Sequence, residues 1–112
     1  MPDCIFCRIA NHEMNARYVH QDDDVFAIED INPGAPVHVL VMPKQHVPNA
    51  SELDDGRVLA RMFEVAHKLA REKGVSDSGY RLVLNVGADA GQSVDHVHLH
   101  VLGGRKMSWP PG

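Results

Sequence analysis

The sequence lacks any apolar run approaching the roughly 20 residues that span a bilayer. Its opening, Met1-Pro2-Asp3-Cys4, has neither a basic region nor a long apolar segment for secretion. A cytosolic protein with no membrane partner is expected. Positive charge is also sparse: eleven Lys and Arg stand against fifteen Asp and Glu, for a formal charge of −4. The basic residues are scattered, whereas binders of nucleic acid or anionic membranes cluster them to displace counterions. Neither partner is expected, and an anionic ligand would have to be held locally by backbone N–H groups and histidines. Repeats, low-complexity segments and linkers are absent. A length of 112 residues suits one hydrophobic core, so residues 1–112 read as one domain. Cysteine occurs only at positions 4 and 7, and in a reducing compartment such a pair is metal-binding or inert rather than a disulfide.

What remains is an ordinary globule, 44% hydrophobic and 23% charged, with one excess: eight histidines. Cys4 to Ala10 places Ile5 and Ile9 on one face of a short helix that ends at Asn11. Tyr18 to Gln21 and Val25 to Glu29, around Asp22-Asp23-Asp24, read as a hairpin. Asn32-Pro33-Gly34-Ala35-Pro36 is a loop. Val37 to Met42 alternates as a third strand, which Pro43 stops. From about Ser51 to Lys73, the residues Val58, Leu59, Met62, Phe63, Ala66, Leu69 and Ala70 mark one buried stripe of a long helix. Ser51 with Asp54 resembles its cap and Gly74 its stop. Arg81 to Val86 and Val97 to Leu102 complete five strands. The expected class is α+β, an antiparallel five-stranded sheet with one long and one short helix.

His96, His98 and His100 alternate with Val97, Leu99 and Val101, which in a strand sends all three imidazoles to one face, at steps of roughly 6.5–7 Å. A single histidine there is most simply part of an ordinary polar face. Three at period two form a row across a ligand. Neutral imidazole is a nucleophile and proton carrier near neutral pH, which fits phosphorus chemistry. The preceding loop, Gly87-Ala88-Asp89-Ala90-Gly91-Gln92-Ser93, offers backbone N–H groups, an amide and a hydroxyl of the kind that cradle phosphate. The donors of Gly91 to Ser93 thus form the second half of an anion site.

The run Gly91-Gln92-Ser93-Val94-Asp95-His96-Val97-His98-Leu99-His100-Val101-Leu102-Gly103-Gly104-Arg105 resembles the signature of the histidine-triad (HIT) family. The resemblance extends through Asp30-Ile31-Asn32-Pro33, His38 to His46, Asn85 and the ending Trp109-Pro110-Pro111-Gly112. The Gly-Gly-Arg run and that ending look like the Hint branch, rather than the Fhit branch of dinucleoside polyphosphate hydrolases. The resemblance implies a HIT-like fold and a homodimer. It makes His98 a nucleophile that forms a covalent nucleotidyl intermediate, and His100 a contact to phosphate oxygens. Ser93 and Gln92 would hydrogen-bond the phosphate or leaving group, and His38 matches an upstream histidine of the same site. Asp30 would accept from ribose hydroxyls, Leu40 and Ile31 would lie against the base, and Asn85 near the phosphate. Ile28 departs from relatives that carry an aromatic residue beside the base. A purine nucleoside monophosphate or phosphoramidate is the expected ligand, with P–N bond hydrolysis the expected reaction. Two alternatives stand beside it: a Fhit-like dinucleoside polyphosphate hydrolase, and a non-catalytic nucleotide- or zinc-binding interaction module.

Cys4-Ile5-Phe6-Cys7 has the spacing by which one helical turn offers two thiolates to a metal. Two further ligands are needed for a closed site. Bacterial-type members of the family are similar here, which implies zinc held by Cys4, Cys7, His46 and His96. A site with four protein ligands is structural, since it leaves no position for water.

Overall fold

A computed structural model describes residues 3–112, and its elements follow the hydrophobic periodicities closely. Strands β1 (Tyr18–Gln21), β2 (Val25–Glu29), β3 (Val37–Pro43), β4 (Tyr80–Leu84) and β5 (Leu99–Gly103) form one antiparallel sheet in the order β1-β2-β3-β5-β4. Helices α1 (Ile5–Ala10) and α2 (Gly56–Glu72) are the two α-helices among the described residues. The fold is α+β, as expected. Among the described residues, no helix is long and apolar enough to cross a membrane.

The first hairpin turns on side-chain chemistry. The Asp22 carboxylate accepts from the amides of Asp24 and Val25 at 2.8 and 2.9 Å, closing the turn locally. It also accepts from His20 Nε2 at 2.6 Å and Arg61 Nε at 3.0 Å, tying the hairpin to α2.

Helix α2 starts later than the Ser51–Asp54 signal suggests. Asn49 caps a single 3₁₀ turn over Ala50–Glu52, and Asp55 caps α2 by accepting from the amides of Arg57 and Val58. Two competing N-cap residues six positions apart explain the shift: each satisfies the orphan donors of its own helical turn. The buried stripe is Val58, Met62, Val65, Ala66, Leu69 and Ala70. Leu59 and Phe63, at the stripe's edge, are only partly buried.

The sheet is covered on both faces. Val25, Ala27, Val39, Val41, Val97, Leu99 and Val101 pack under α2. Phe26, Ile28, Leu40 and Met42, from the opposite sides of the same strands, pack with Cys4, Phe6 and Ile9 of the α1 segment. The central strand β3 is therefore buried on both sides over most of its length.

Strand β5 begins at Leu99, so His96 and His98 lie just before the hydrogen-bonded ladder. The aliphatic half of the alternation holds, since Val97, Leu99 and Val101 all enter the core under α2. At the other end, Gly103 is required by contact. A Cβ built there would lie 2.8 Å from Cβ of Val75, which follows α2.

Candidate functional site

The second face of the sheet carries the chemistry. Register places Leu40 opposite His100 and His38 opposite Leu102, so the two histidines are diagonal neighbours on adjacent strands. His38 Nε2 lies 2.9 Å from His100 Nδ1. The backbone sets the direction of this bond. The Gly34 amide donates to His38 Nδ1 at 2.9 Å, and an N–H can only donate, so His38 carries its proton on Nε2. That proton goes to His100 Nδ1, which leaves His100 protonated on Nε2. This atom is buried and has no hydrogen-bond partner among the described residues. It is a donor left unsatisfied beside the cavity that His100 lines.

His98 is oriented in the same manner. Its Nδ1 donates to the carbonyl of His96 at 2.7 Å. A carbonyl only accepts, so the lone pair of His98 is on Nε2. His98 is only 6% exposed, with its ring 5.0 Å from that of His100 and 5.2 Å from that of Phe6. A nucleophilic lone pair thus sits beside an N–H donor.

Electrostatics favour the neutral forms of His100 and His38. Burial, together with the neighbouring His98 and His38, pushes His100 down to about 4, against a smaller opposing pull from Asp30. Burial also lowers His38, with Asp30 opposing. The Asp30 Oδ2 is 3.4 Å from His38 Nε2, and its Oδ1 accepts from the Asn32 amide at 2.9 Å.

His98 and His100 line a cavity of about 270 Å³ with Ile28, Asp30, Ile31, Leu40 and three residues of α1: Ile5, Phe6 and Ile9. The lining is mostly apolar, with a few polar groups among it, a composition suited to a flat heteroaromatic ring bearing a polar substituent. Ile31 is 90% exposed, standing at the rim. A wider groove of about 670 Å³ continues past Asp30. Its cations Arg17 and Lys73 are both paired with Glu29, which leaves the histidines to meet an anion.

The loop before the triad is fastened by Gln92. Its amide accepts from the Gly87 N–H at 2.9 Å and donates to the carbonyls of Pro48 and Val94 at 2.7 and 3.0 Å. With these bonds made, Gln92 shapes the loop. Gly91 ends a 3₁₀ turn over Ala88–Ala90 at φ 87°, a conformation natural to glycine. Ser93 is exposed and lines a separate cavity of about 520 Å³ with Val94, Cys4 and His46. Val94 borders both cavities. Asn85, half-buried just past β4, lines neither.

Cys4, Cys7, His46 and His96 converge. Sγ of Cys4 is 3.5 Å from His96 Nδ1, and Sγ of Cys7 is 3.4 Å from His46 Nδ1 and 3.7 Å from His96 Nδ1. Zinc bonds of about 2.3 Å to sulfur and about 2.0–2.1 Å to nitrogen, at a tetrahedral angle, separate S from N by about 3.5 Å. The residues fit the metal. His96 donates Nε2–H to the Pro43 carbonyl at 2.8 Å, which directs its Nδ1 lone pair at the thiols. Burial pushes His96 down to about 4, so it is neutral, as a ligand must be. Burial and the adjacent Cys4 push the Cys7 thiol up to about 11, a shift that a bound cation reverses.

The contribution of α1 to the cavity was hidden in the sequence. Ile5 and Ile9 show a helical face, but nothing local says which surface that face covers. The available signal was that a C-x-x-C pair on the same turn needs distant partners, which ties α1 to the histidine segment.

The model of the HIT domain matches residues 11–107. An uncharacterized HIT-like protein of Synechocystis is 46% identical over 112 residues, or 98% of this chain and 97% of its own length. The crystal structure of a HIT family hydrolase from Legionella pneumophila superposes with a TM-score of 0.95 at 46% identity, covering 98% of this chain and 100% of that one. A histidine triad nucleotide-binding protein from Candida albicans does so with a TM-score of 0.84 at 30% identity, covering 96% and 83% respectively.

Proposed function

This chain belongs to the HIT domain family, and from that premise we propose that it hydrolyses purine nucleoside phosphoramidates, including aminoacyl-adenylate-like compounds, with His98 as nucleophile. The observation that carries this reading is the paired tautomers. His98 exposes a lone pair on Nε2 because its Nδ1–H is held by the His96 carbonyl, and His100 exposes an unpartnered donor on Nε2 beside it.

In this reading the base lies between Ile28, Leu40 and the α1 face, and Asp30 accepts from the ribose hydroxyls. The N–H of His100 binds a phosphoryl oxygen, and the sequence's expectation of donors from Gly91 to Ser93 narrows to Ser93, because the Gly91 and Gln92 amides already donate to the carbonyls of Ala88 and Gly87. His98 Nε2 attacks phosphorus as the P–N bond breaks, and the departing amine takes up a proton from solvent at the open end of the site. The resulting nucleotidyl-imidazolium is stabilised by its Nδ1–H bond to the His96 carbonyl. Water then displaces His98 from phosphorus and gives back one proton, so each cycle consumes one water and releases a nucleoside monophosphate. Ser93, which lines the neighbouring cavity that shares Val94, is assigned to the leaving group in this reading. Zinc at Cys4, Cys7, His46 and His96 would supply structural cross-linking, with no coordination position open for chemistry. Within the family, the Gly103-Gly104-Arg105 run and the ending Trp109 to Gly112 resemble the Hint branch, which favours an amine over a nucleotide as leaving group. We place the protein in the cytosol as a homodimer on the same resemblance.

The test is a turnover panel of adenosine and guanosine phosphoramidates with varied amines, set against diadenosine polyphosphates. Faster turnover of the phosphoramidates supports this reading; the reverse order supports a dinucleoside polyphosphate hydrolase. Binding of AMP without turnover of any compound supports a binding module.

A further inference from the structure

Helix α1 is the least self-sufficient part of the cavity wall. Its six residues are too few for an isolated helix to persist, and no side chain caps its N-terminal end. Yet it supplies Ile5, Phe6 and Ile9 to the cavity. Phe6 also stands edge-on to both His96 and His98, at 5.8 and 5.2 Å between ring centroids. The far end of α1 is held by Tyr18, whose hydroxyl donates to the Ile9 carbonyl at 2.6 Å. At the near end the polar links are the two thiols, against His96 and His46. His96 in turn is bonded to the end of β3 through Pro43, and its carbonyl fixes His98. One cluster of four ligands thus joins α1, the segment after β3 and the segment that carries the nucleophile.

We propose that this cluster is a clasp through which metal occupancy sets nucleotide affinity. A metal bound by Cys4, Cys7, His46 and His96 pins α1 against the sheet and completes the apolar wall. Without it the thiols are weak hydrogen-bonding groups, the first turn of α1 opens locally, and the cavity loses Ile5 and Phe6 as a fixed surface. The proposal rests on two readings given above, that the cavity takes a nucleotide and that the cluster takes a metal. Because coupling between two binding events is reciprocal, bound nucleotide tightens the metal site by the same factor.

The full chain, loaded with zinc or stripped by chelator, is titrated with AMP in a calorimeter, and amide exchange is followed at residues 5–10 and in β3 and β5. Stripping is expected to weaken AMP binding by about tenfold or more. Exchange should speed up in α1 with the sheet still protected, and added zinc should reverse both changes. AMP should raise zinc affinity by the same factor. His46→Ala removes one ligand while leaving α1 and both thiols intact, and should behave like the stripped protein even if the Cys4 and Cys7 variants fail to fold. Equal AMP affinity and equal α1 exchange in both forms would overturn the clasp. Zinc below about 0.2 per chain in protein purified without chelator would also overturn it, leaving the nucleotide reading in place. AMP binding by neither form would overturn the clasp and the nucleotide reading together.

Discussion

His38 Nε2 and His100 Nδ1, from residues 62 positions apart, lie 2.9 Å from each other on adjacent strands, and the bond between them has one direction. The Gly34 amide fixes the proton on His38, so His38 fixes the proton on His100. Arg105 steadies the same loop, its Nε donating to the Gly34 carbonyl at 3.0 Å. A loop peptide, two strands and the end of the family motif therefore act together to present a single N–H.

This relay separates two classes of variant. His100→Ala and His38→Ala remove a positioning hydrogen bond and should lower turnover by about tenfold to a few hundredfold, the kinetic equivalent of about 1–3 kcal/mol. His98→Ala removes the proposed nucleophile and should cost several orders of magnitude, while AMP should still bind. Wild-type enzyme quenched during turnover should carry one nucleotidyl group on the peptide containing His98. Retention of more than about a tenth of the wild-type rate by His98→Ala, a loss under about 1.4 kcal/mol, would rule out covalent catalysis by this residue.

The pH response follows from His100. It is held neutral down to about 4 in the fold, against an ordinary value of 6.5, so between those two values the unfolded chain binds more protons than the folded one. Stability therefore rises as pH climbs through that interval and is level above it with respect to this group. Denaturant midpoints measured from pH 4 to 8 should show a shallower slope for His100→Gln than for wild type. Activity should fall on the acid side as His100 gains a proton, because Nδ1 can then no longer accept from His38.

Gly103→Ala should destabilise the protein by about 1–3 kcal/mol, the usual cost of overpacking, because the new methyl meets the Val75 side chain. Thermal melts measure this. Gly56→Ala, where nothing lies within 4 Å of the added carbon, is the matched control and should be neutral or stabilising, since it replaces glycine in the first turn of α2.

Trp109 is 82% exposed despite its size, which suits a residue that meets a second copy of the chain. Sedimentation at micromolar concentration should give about twice the monomer mass, the dimer being held through α2 between Val58 and Leu69 or through an edge strand. Removal of Trp109 to Gly112 should alter preference among amine leaving groups more than affinity for AMP. A clean monomer, or equal losses for every substrate, would contradict this.

The strands, the long helix and the alternating histidines were legible in the sequence because each is a local period: two for a strand, about 3.6 for a helix. Local signals misled where two of them competed, as at Ser51, where the caps at Asn49 and Asp55 divide a turn from the helix. They also extended β5 back to Val97, although pairing begins only at Leu99. The sequence by itself thus determined which residue types the site contains and the spacing at which they occur. The tertiary structure alone decided their chemical state. Cys4 meets His96 across 92 positions, and the tautomers of His38, His96 and His98 are set by Gly34, the Pro43 carbonyl and the His96 carbonyl. A proton on an imidazole goes to the nitrogen that faces a backbone acceptor and leaves the one that faces a backbone donor, and where those groups stand depends on how the strands register and cross.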